Sequence, residues 1–183
     1  MKRGDASLDD FDRFVAASAK DLLRTAYLIV WDLRLAEDLV QECFFEVARR
    51  WPRVRSMEYP TAYARRVLVN KAVGGASRRL RHRSELDQLD HAPAAAVRDA
   101  TAERALESAD ATSDLIDALR GLAPAQRAVL VLRYFVDLSE AQIAETLGCS
   151  VGTVKSTNAR ALDRLRRMPA MVTYRKDPEG SIG

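Results

Sequence analysis

Ser139-Glu140-Ala141-Gln142-Ile143-Ala144-Glu145-Thr146-Leu147-Gly148-Cys149-Ser150-Val151-Gly152-Thr153-Val154-Lys155-Ser156-Thr157-Asn158-Ala159-Arg160 reads as two short helices joined by a glycine turn. Ser139 and Gln142 have the spacing of a capping box, which starts the first helix. Ile143, Ala144 and Leu147 give that helix an apolar face, and small Ala144 permits the second helix to cross closely. Gly148 suits the residue after the helix end, where a left-handed backbone is needed. Cys149 and Val154 return apolar groups to the same core, and Ser150 caps the second helix. Its polar face is then Thr153, Lys155, Ser156, Asn158 and Arg160. Two helices about a short glycine turn, the second polar and basic, have the geometry that enters a DNA major groove. Thr, Ser, Asn and Lys can read base edges, while Arg and Lys also hold phosphates.

The rest of this segment is helical in pattern: about 113–121, 124–135, 139–147 and 150–167. Pro124 suits the first turn of its helix. Upstream, Phe11, Phe14, Val15, Leu22, Ala26 and Ile29 keep helical spacing. Ala36, Leu39, Val40, Cys43, Phe44, Val47 and Trp51 mark a second helix, which Pro52 is expected to stop. A third starts at Pro60 and turns Ala64, Val67, Leu68 and Leu80 inward. Strand signals are weak, since no alternating β-branched run is bounded by hairpin turns. The expected fold is all-α, with two small helical domains.

Charge divides the chain in the same places. Residues 1–83 hold 17 Lys/Arg and 11 Asp/Glu, 84–112 hold 2 and 7, and 113–183 hold 10 and 8. The middle stretch is acidic, Ala-rich and without an aromatic residue, so it can bury little area against its chain entropy. The expected organisation is therefore a domain at 1–83, a flexible linker at 84–112, a helix-turn-helix domain at 113–168 and a frayed tail at 169–183.

Composition narrows the function classes. The 183 residues carry a net charge of only +3, so a partner must be sought in local charge rather than in the total. Two Cys and two His exclude a disulfide scaffold and a multi-Cys zinc module. Cys43 and Cys149 fall on apolar faces and are expected to be buried thiols. No nucleophile elbow, P-loop or metal spacing is present; an enzyme, a metal and a cofactor are not expected. The start has no apolar leader and no stretch spans a bilayer, so a cytoplasmic protein without membrane insertion is expected.

Ala36-Glu37-Asp38-Leu39-Val40-Gln41-Glu42-Cys43-Phe44 resembles region 2.2 of bacterial sigma factors. Ala62-Tyr63-Ala64-Arg65-Arg66-Val67-Leu68-Val69-Asn70 resembles the promoter −10 helix that comes after it. Leu122–Tyr134, Ile143–Ser150 and Gly152–Ser156 resemble region 4. Together they resemble an extracytoplasmic-function (ECF) RNA polymerase sigma factor of the actinobacterial SigE-like group, over residues 8–83 and 112–168.

The resemblance implies promoter-specific initiation with core RNA polymerase, through its β and β′ subunits, on promoter DNA. Asp38, Gln41 and Glu42, at i, i+3 and i+4, share one helical stripe and would dock on polymerase. Tyr63, Arg65, Arg66, Asn70 and Lys71 would serve the −10 element. There the family captures a flipped base, in the loop matched by 54–60. Tyr63 can equally stack on a base or join the core. Thr153, Lys155, Ser156, Asn158 and Arg160 would serve the −35 element. An anti-sigma factor is a further implied partner. Thr157 stands where many relatives carry Arg. Gly74-Gly75 breaks the family's helix-favouring pattern, so a kink or an end is expected there. The competing assignment is a stand-alone LuxR-type regulator. It leaves the Asp38–Gln41–Glu42 stripe and the basic third helix without a role.

Overall fold

A computed structural model describes residues 5–86 and 119–167, with the side chains of 9–75 and 119–167. Seven α-helices and one π-helical turn make up the described elements: α1 Asp5–Val30, α2 Leu33–Arg49, α3 Trp51–Val54, α4 Pro60–Leu86, α5 Pro124–Leu130, the π turn Val131–Phe135, α6 Glu140–Leu147 and α7 Val151–Arg166. Among the described residues there is no strand.

The first three long helices form a bundle because each carries one apolar stripe. Leu22, Ala26 and Ile29 of α1, Ala36, Cys43 and Val47 of α2, and Ala64, Leu68 and Val69 of α4 are all essentially fully buried. Around Trp51 the core is aromatic: Phe11 and Phe14 lie 5.2 and 5.1 Å from its ring, and Phe14 meets Phe44 edge-on at 6.3 Å. These rings are packing groups, as the spacing predicted. Ser18 and Thr25 are buried on α1, and each hydroxyl donates 2.7 Å back to the carbonyl four residues earlier. That local bond satisfies a polar group that would otherwise be costly inside.

Two local expectations are corrected. Pro52 does more than stop α2: the chain breaks at Arg50, and Trp51-Pro52 opens the short α3. A first-turn proline is tolerated because its missing N–H has no intrahelical partner there. Of the kink or end expected at Gly74-Gly75, the end does not occur, for α4 runs on from Pro60 to Leu86. The same helix takes in Ser84–Leu86, which the sequence assigned to the linker. The remainder of that linker, residues 87–112, and the tail 169–183 lie outside the described residues. So does most of the helix expected at 113–121.

In the second segment the local chemistry works as read. Ser139 Oγ accepts from the Gln142 N–H at 3.3 Å, and Gln142 Oε1 accepts from the Ser139 N–H at 2.8 Å. Gly148 closes α6 at φ 66°, a left-handed backbone that favours glycine. Ser150 Oγ then accepts from the Thr153 N–H at 3.1 Å and starts α7. Helix 124–135 changes character halfway. After Leu130 it widens into the π turn, closed by Val136 N–H on the Val131 carbonyl at 3.0 Å.

The two segments share one apolar core. Ala128, Val129, Val131, Leu132, Ile143, Ala144 and Val154 belong to the same buried cluster as the α1–α2–α4 residues. A smaller cluster, Leu122, Leu130, Ala161 and Leu165, ties α5 to α7.

Candidate nucleic-acid and protein interfaces

Three surfaces carry the residues singled out in the sequence. The first is the outer face of α2. Asp32 caps this helix, its Oδ1 accepting from Leu35 N–H at 2.9 Å, and the buried stripe of Ala36, Leu39, Val40, Cys43 and Val47 turns the opposite side outward. Asp38, Gln41 and Glu42 are all exposed. The same stripe continues to Phe45, 68% exposed, with the Arg49 guanidinium 6.0 Å above its ring. Phe45 was not singled out from sequence, where it looked like one more apolar residue beside Phe44. Its position three and four residues beyond Glu42 and Gln41 was the available signal.

The second surface is the first half of α4. Arg66 and Asn70 are exposed, and Tyr63 is half-buried with its hydroxyl accepting from Arg50 at 3.4 Å. Tyr63 thus packs part of its ring against the core of the bundle, while its hydroxyl meets Arg50 at the surface. Arg65 is half-buried; burial lowers its pKa below the ordinary value, and Asp21 on α1 works against that shift. Lys71 Nζ reaches Glu42 Oε2 at 2.9 Å, so one residue of the α4 set is paired with one of the α2 set. Asn70 Nδ2 donates 3.1 Å to the Thr146 carbonyl of α6. Tyr59, 68% exposed, sits directly before Pro60 at the mouth of this face. It too was missed, although an aromatic residue next to a basic helix was visible in the sequence.

The third surface is the outer face of α7, anchored beneath by Val154, Ala161 and Leu165. Thr153, Lys155, Ser156 and Arg160 are exposed, and Asn158 is half-buried. Lys155 lies 3.6 Å from Glu140, and the Arg160 guanidinium folds back onto Ser156. Asn158 Nδ2 donates 3.4 Å to the Tyr134 hydroxyl, while its Oδ1 is buried with no partner among the described residues. Of the five, Asn158 is therefore the one aimed partly inward.

The remaining ionisable groups point to packing. Cys43 is fully buried, its Sγ donating 3.2 Å to the Ala64 carbonyl, and burial pushes its pKa up to about 11. Cys149 is half-buried rather than buried, a correction to the sequence reading. Arg127 is buried, which pulls its pKa down to about 10, and it donates to the Arg120 carbonyl at 3.3 Å. Among the described residues no three His, Cys, Asp or Glu side chains gather as a metal site, and no helix is long and apolar enough to cross a membrane.

Comparison with known proteins bears on the same segments. Residues 14–84 match the family described as Sigma-70 region 2, and residues 112–165 match Sigma-70, region 4. The chain is 36% identical over 157 residues to the RNA polymerase sigma-E factor of Streptomyces coelicolor, covering 86% of this chain and 84% of that protein. It is 38% identical over 160 residues to the protein of that name from Streptomyces avermitilis, covering 86% and 83%. To the ECF RNA polymerase sigma factor SigE of Mycolicibacterium smegmatis it is 31% identical over 163 residues, covering 88% and 62%. Among solved structures, it resembles the sigma factor RpoE of Bartonella quintana, crystallised with the anti-sigma factor NepR. That match has a TM-score of 0.64 and 25% identity, covering 93% of this chain and 99% of that one.

Proposed function

This chain belongs to the RNA polymerase sigma-E family of ECF sigma factors, and from that premise we propose how its three surfaces divide the work of transcription initiation. The protein joins core RNA polymerase and directs it to promoters. The α2 stripe of Asp38, Gln41 and Glu42, extended by Phe45, docks on polymerase. An exposed aromatic ring amid charged neighbours is the kind of residue that dominates binding energy when an interface covers it. The face of α7 built from Thr153, Lys155, Ser156, Asn158 and Arg160 reads the −35 element in the major groove. On α4, Tyr63, Arg65, Arg66, Asn70 and Lys71 hold the −10 element. Tyr59 adds a ring at its edge that can stack on an unpaired base.

The observation that carries this reading is the pairing of two open surfaces on opposite parts of one chain. Asp38, Gln41 and Glu42 face solvent on α2, and the basic face of α7 does so at the other end. A stand-alone regulator accounts for the second surface and leaves the first, with the region 2 match at 14–84, unexplained. The chain supplies recognition while polymerase supplies the bond-making chemistry. An anti-sigma factor is a further proposed partner, supported by the structural relative that was crystallised with one. The test is run-off transcription with purified core polymerase. Promoter-specific transcripts from the two components alone are the expected result; a requirement for another sigma factor would refute it.

A further inference from the structure

Tyr134 has no packing reason to be an aromatic residue. It is 62% exposed and belongs to neither apolar cluster. Phe135, the next residue, turns to α1 and lies under the Arg24 guanidinium at 5.1 Å. Tyr134 turns instead to α7, where its hydroxyl accepts from Asn158 Nδ2 at 3.4 Å. The backbone that presents it is held on both sides. Val136 N–H donates 3.0 Å to the Val131 carbonyl, and Leu138 N–H donates 2.9 Å to the Leu132 carbonyl. The Arg133 guanidinium donates 2.9 Å to the Leu138 carbonyl.

The Asn158 amide favours this bond in one sense. As it stands, one buried acceptor, Oδ1, has no partner. Turned over, the amide would put its NH2 in that place and leave two buried donors unmatched. The nitrogen therefore meets the phenol, and the phenol oxygen is the acceptor. Its own proton is left for an acceptor outside the chain, since none bonds it among the described residues. A hydroxyl that already accepts a hydrogen bond donates a stronger one. Asn158 follows Lys155 by three residues, so the two are neighbours along α7. The phenol thus stands beside the residue expected to hold a phosphate of the −35 element.

We propose that Tyr134, outside the recognition helix, is a DNA-contact residue of the −35 site: its hydroxyl, aimed by the Asn158 amide, donates to a backbone phosphate near the one held by Lys155. The proposal rests on the −35 assignment of α7 made above. Phosphate oxygens accept from uncharged hydroxyls as well as from Lys and Arg. In helix-turn-helix docking the recognition helix enters the groove while flanking segments meet the backbone, and the π turn ahead of α6 is such a flank. Because the phenol is neutral, its contact displaces no counterion. It adds affinity for every sequence alike and leaves the salt slope untouched, whereas Lys155 acts on the slope.

The test uses the full chain and a short duplex that the wild-type protein selects from a randomised pool. Tyr134→Phe keeps the ring and removes only the hydroxyl. Its affinity is expected to fall about tenfold, the scale of one hydrogen bond to a charged group, with base preference and salt slope unchanged. Methylphosphonate, a neutral replacement, is then placed at each phosphate in turn. One position should weaken the wild type about tenfold more than it weakens Tyr134→Phe. Asn158→Ala should shrink that difference, since nothing then aims the phenol. Tyr134→Phe that binds as tightly as wild type overturns the proposal, and so does a loss that no single phosphate accounts for. A difference left whole by Asn158→Ala overturns the aiming role. A wild-type chain that selects no sequence overturns instead the −35 reading of α7, which keeps the two failures apart.

Discussion

Replacing Gly74 and Gly75 by Ala should make the protein more stable, although both lie inside α4, the longest helix among the described residues. In a helix interior glycine is the poorer choice by about 1 kcal/mol per position relative to alanine. Nothing in the surroundings opposes the exchange: a Cβ built on either residue meets no atom within 4 Å. Neither residue has a positive φ, and α4 is continuous through both. Neighbouring helix positions do not face each other, so the two gains should nearly add, to about 2 kcal/mol. For a chain of this size that corresponds to a rise in Tm of about 4–8 °C. The assay is thermal unfolding monitored by far-UV circular dichroism, with single variants giving about half the shift each. An unchanged or lower Tm in the double variant would refute the reasoning, because it would mean that the helix needs glycine's freedom at this point. Run-off transcription on the same variants separates stability from function. If the pair were a hinge used in DNA opening, activity would fall while Tm rose.

Three further outcomes are expected. Asp38→Arg with Glu42→Arg should abolish binding to core polymerase with helix content unchanged, and Phe45→Ala should weaken it at least tenfold; normal affinity in all of these would remove α2 as the docking face. Lys155→Ala should lower the salt slope of DNA binding by about 1 and weaken all sequences alike, whereas Asn158→Ala should change base preference. Unaltered promoter selection with a lower Tm would reassign Asn158 to packing against Tyr134. Cys43 should resist alkylation at pH 8 while Cys149 reacts, because a pKa near 11 rather than the ordinary 9.0 cuts its thiolate about a hundredfold. The same shift has a signed effect on stability. The raised folded pKa favours the native state fully below pH 9, and that contribution is lost as pH climbs from 9 to 11. Equal labelling of the two thiols in folded protein would contradict the burial of Cys43.

The helix-turn-helix was legible because its signals are local. Ser139 with Gln142, Gly148 and Ser150 each act within four residues, and all fall where the spacing put them. The apolar stripes of α1, α2 and α4 were legible for a similar reason, since helical period alone assigns Leu22, Cys43 and Leu68 to the inside. Long-range consequences were not. Periodicity identifies Val131 and Ile143 as core residues without saying which helices cover them, so the docking of the two segments stayed hidden. The inward turn of Asn158 depends on Tyr134, 24 residues away, and a helical wheel drawn for α7 contains no Tyr134. At Gly74-Gly75 an intrinsic penalty of about 1 kcal/mol per glycine predicts a kink or an end. The rest of a 27-residue helix outweighs it.

The π turn at Val131–Phe135 has a meaning for how the chain can change in length. A five-residue hydrogen-bonded repeat holds one residue more than an α turn, so a single deletion there could close into regular helix. The backbone would survive such a loss, but each residue removed rotates the downstream chain by roughly 100°. Phe135 would then swing off Arg24, and Tyr134 would leave Asn158. One surplus residue is thus what lets adjacent side chains reach α1 in one direction and α7 in the other. Among homologous chains, a one-residue gap at this point would mark descendants in which the two halves have lost their shared register.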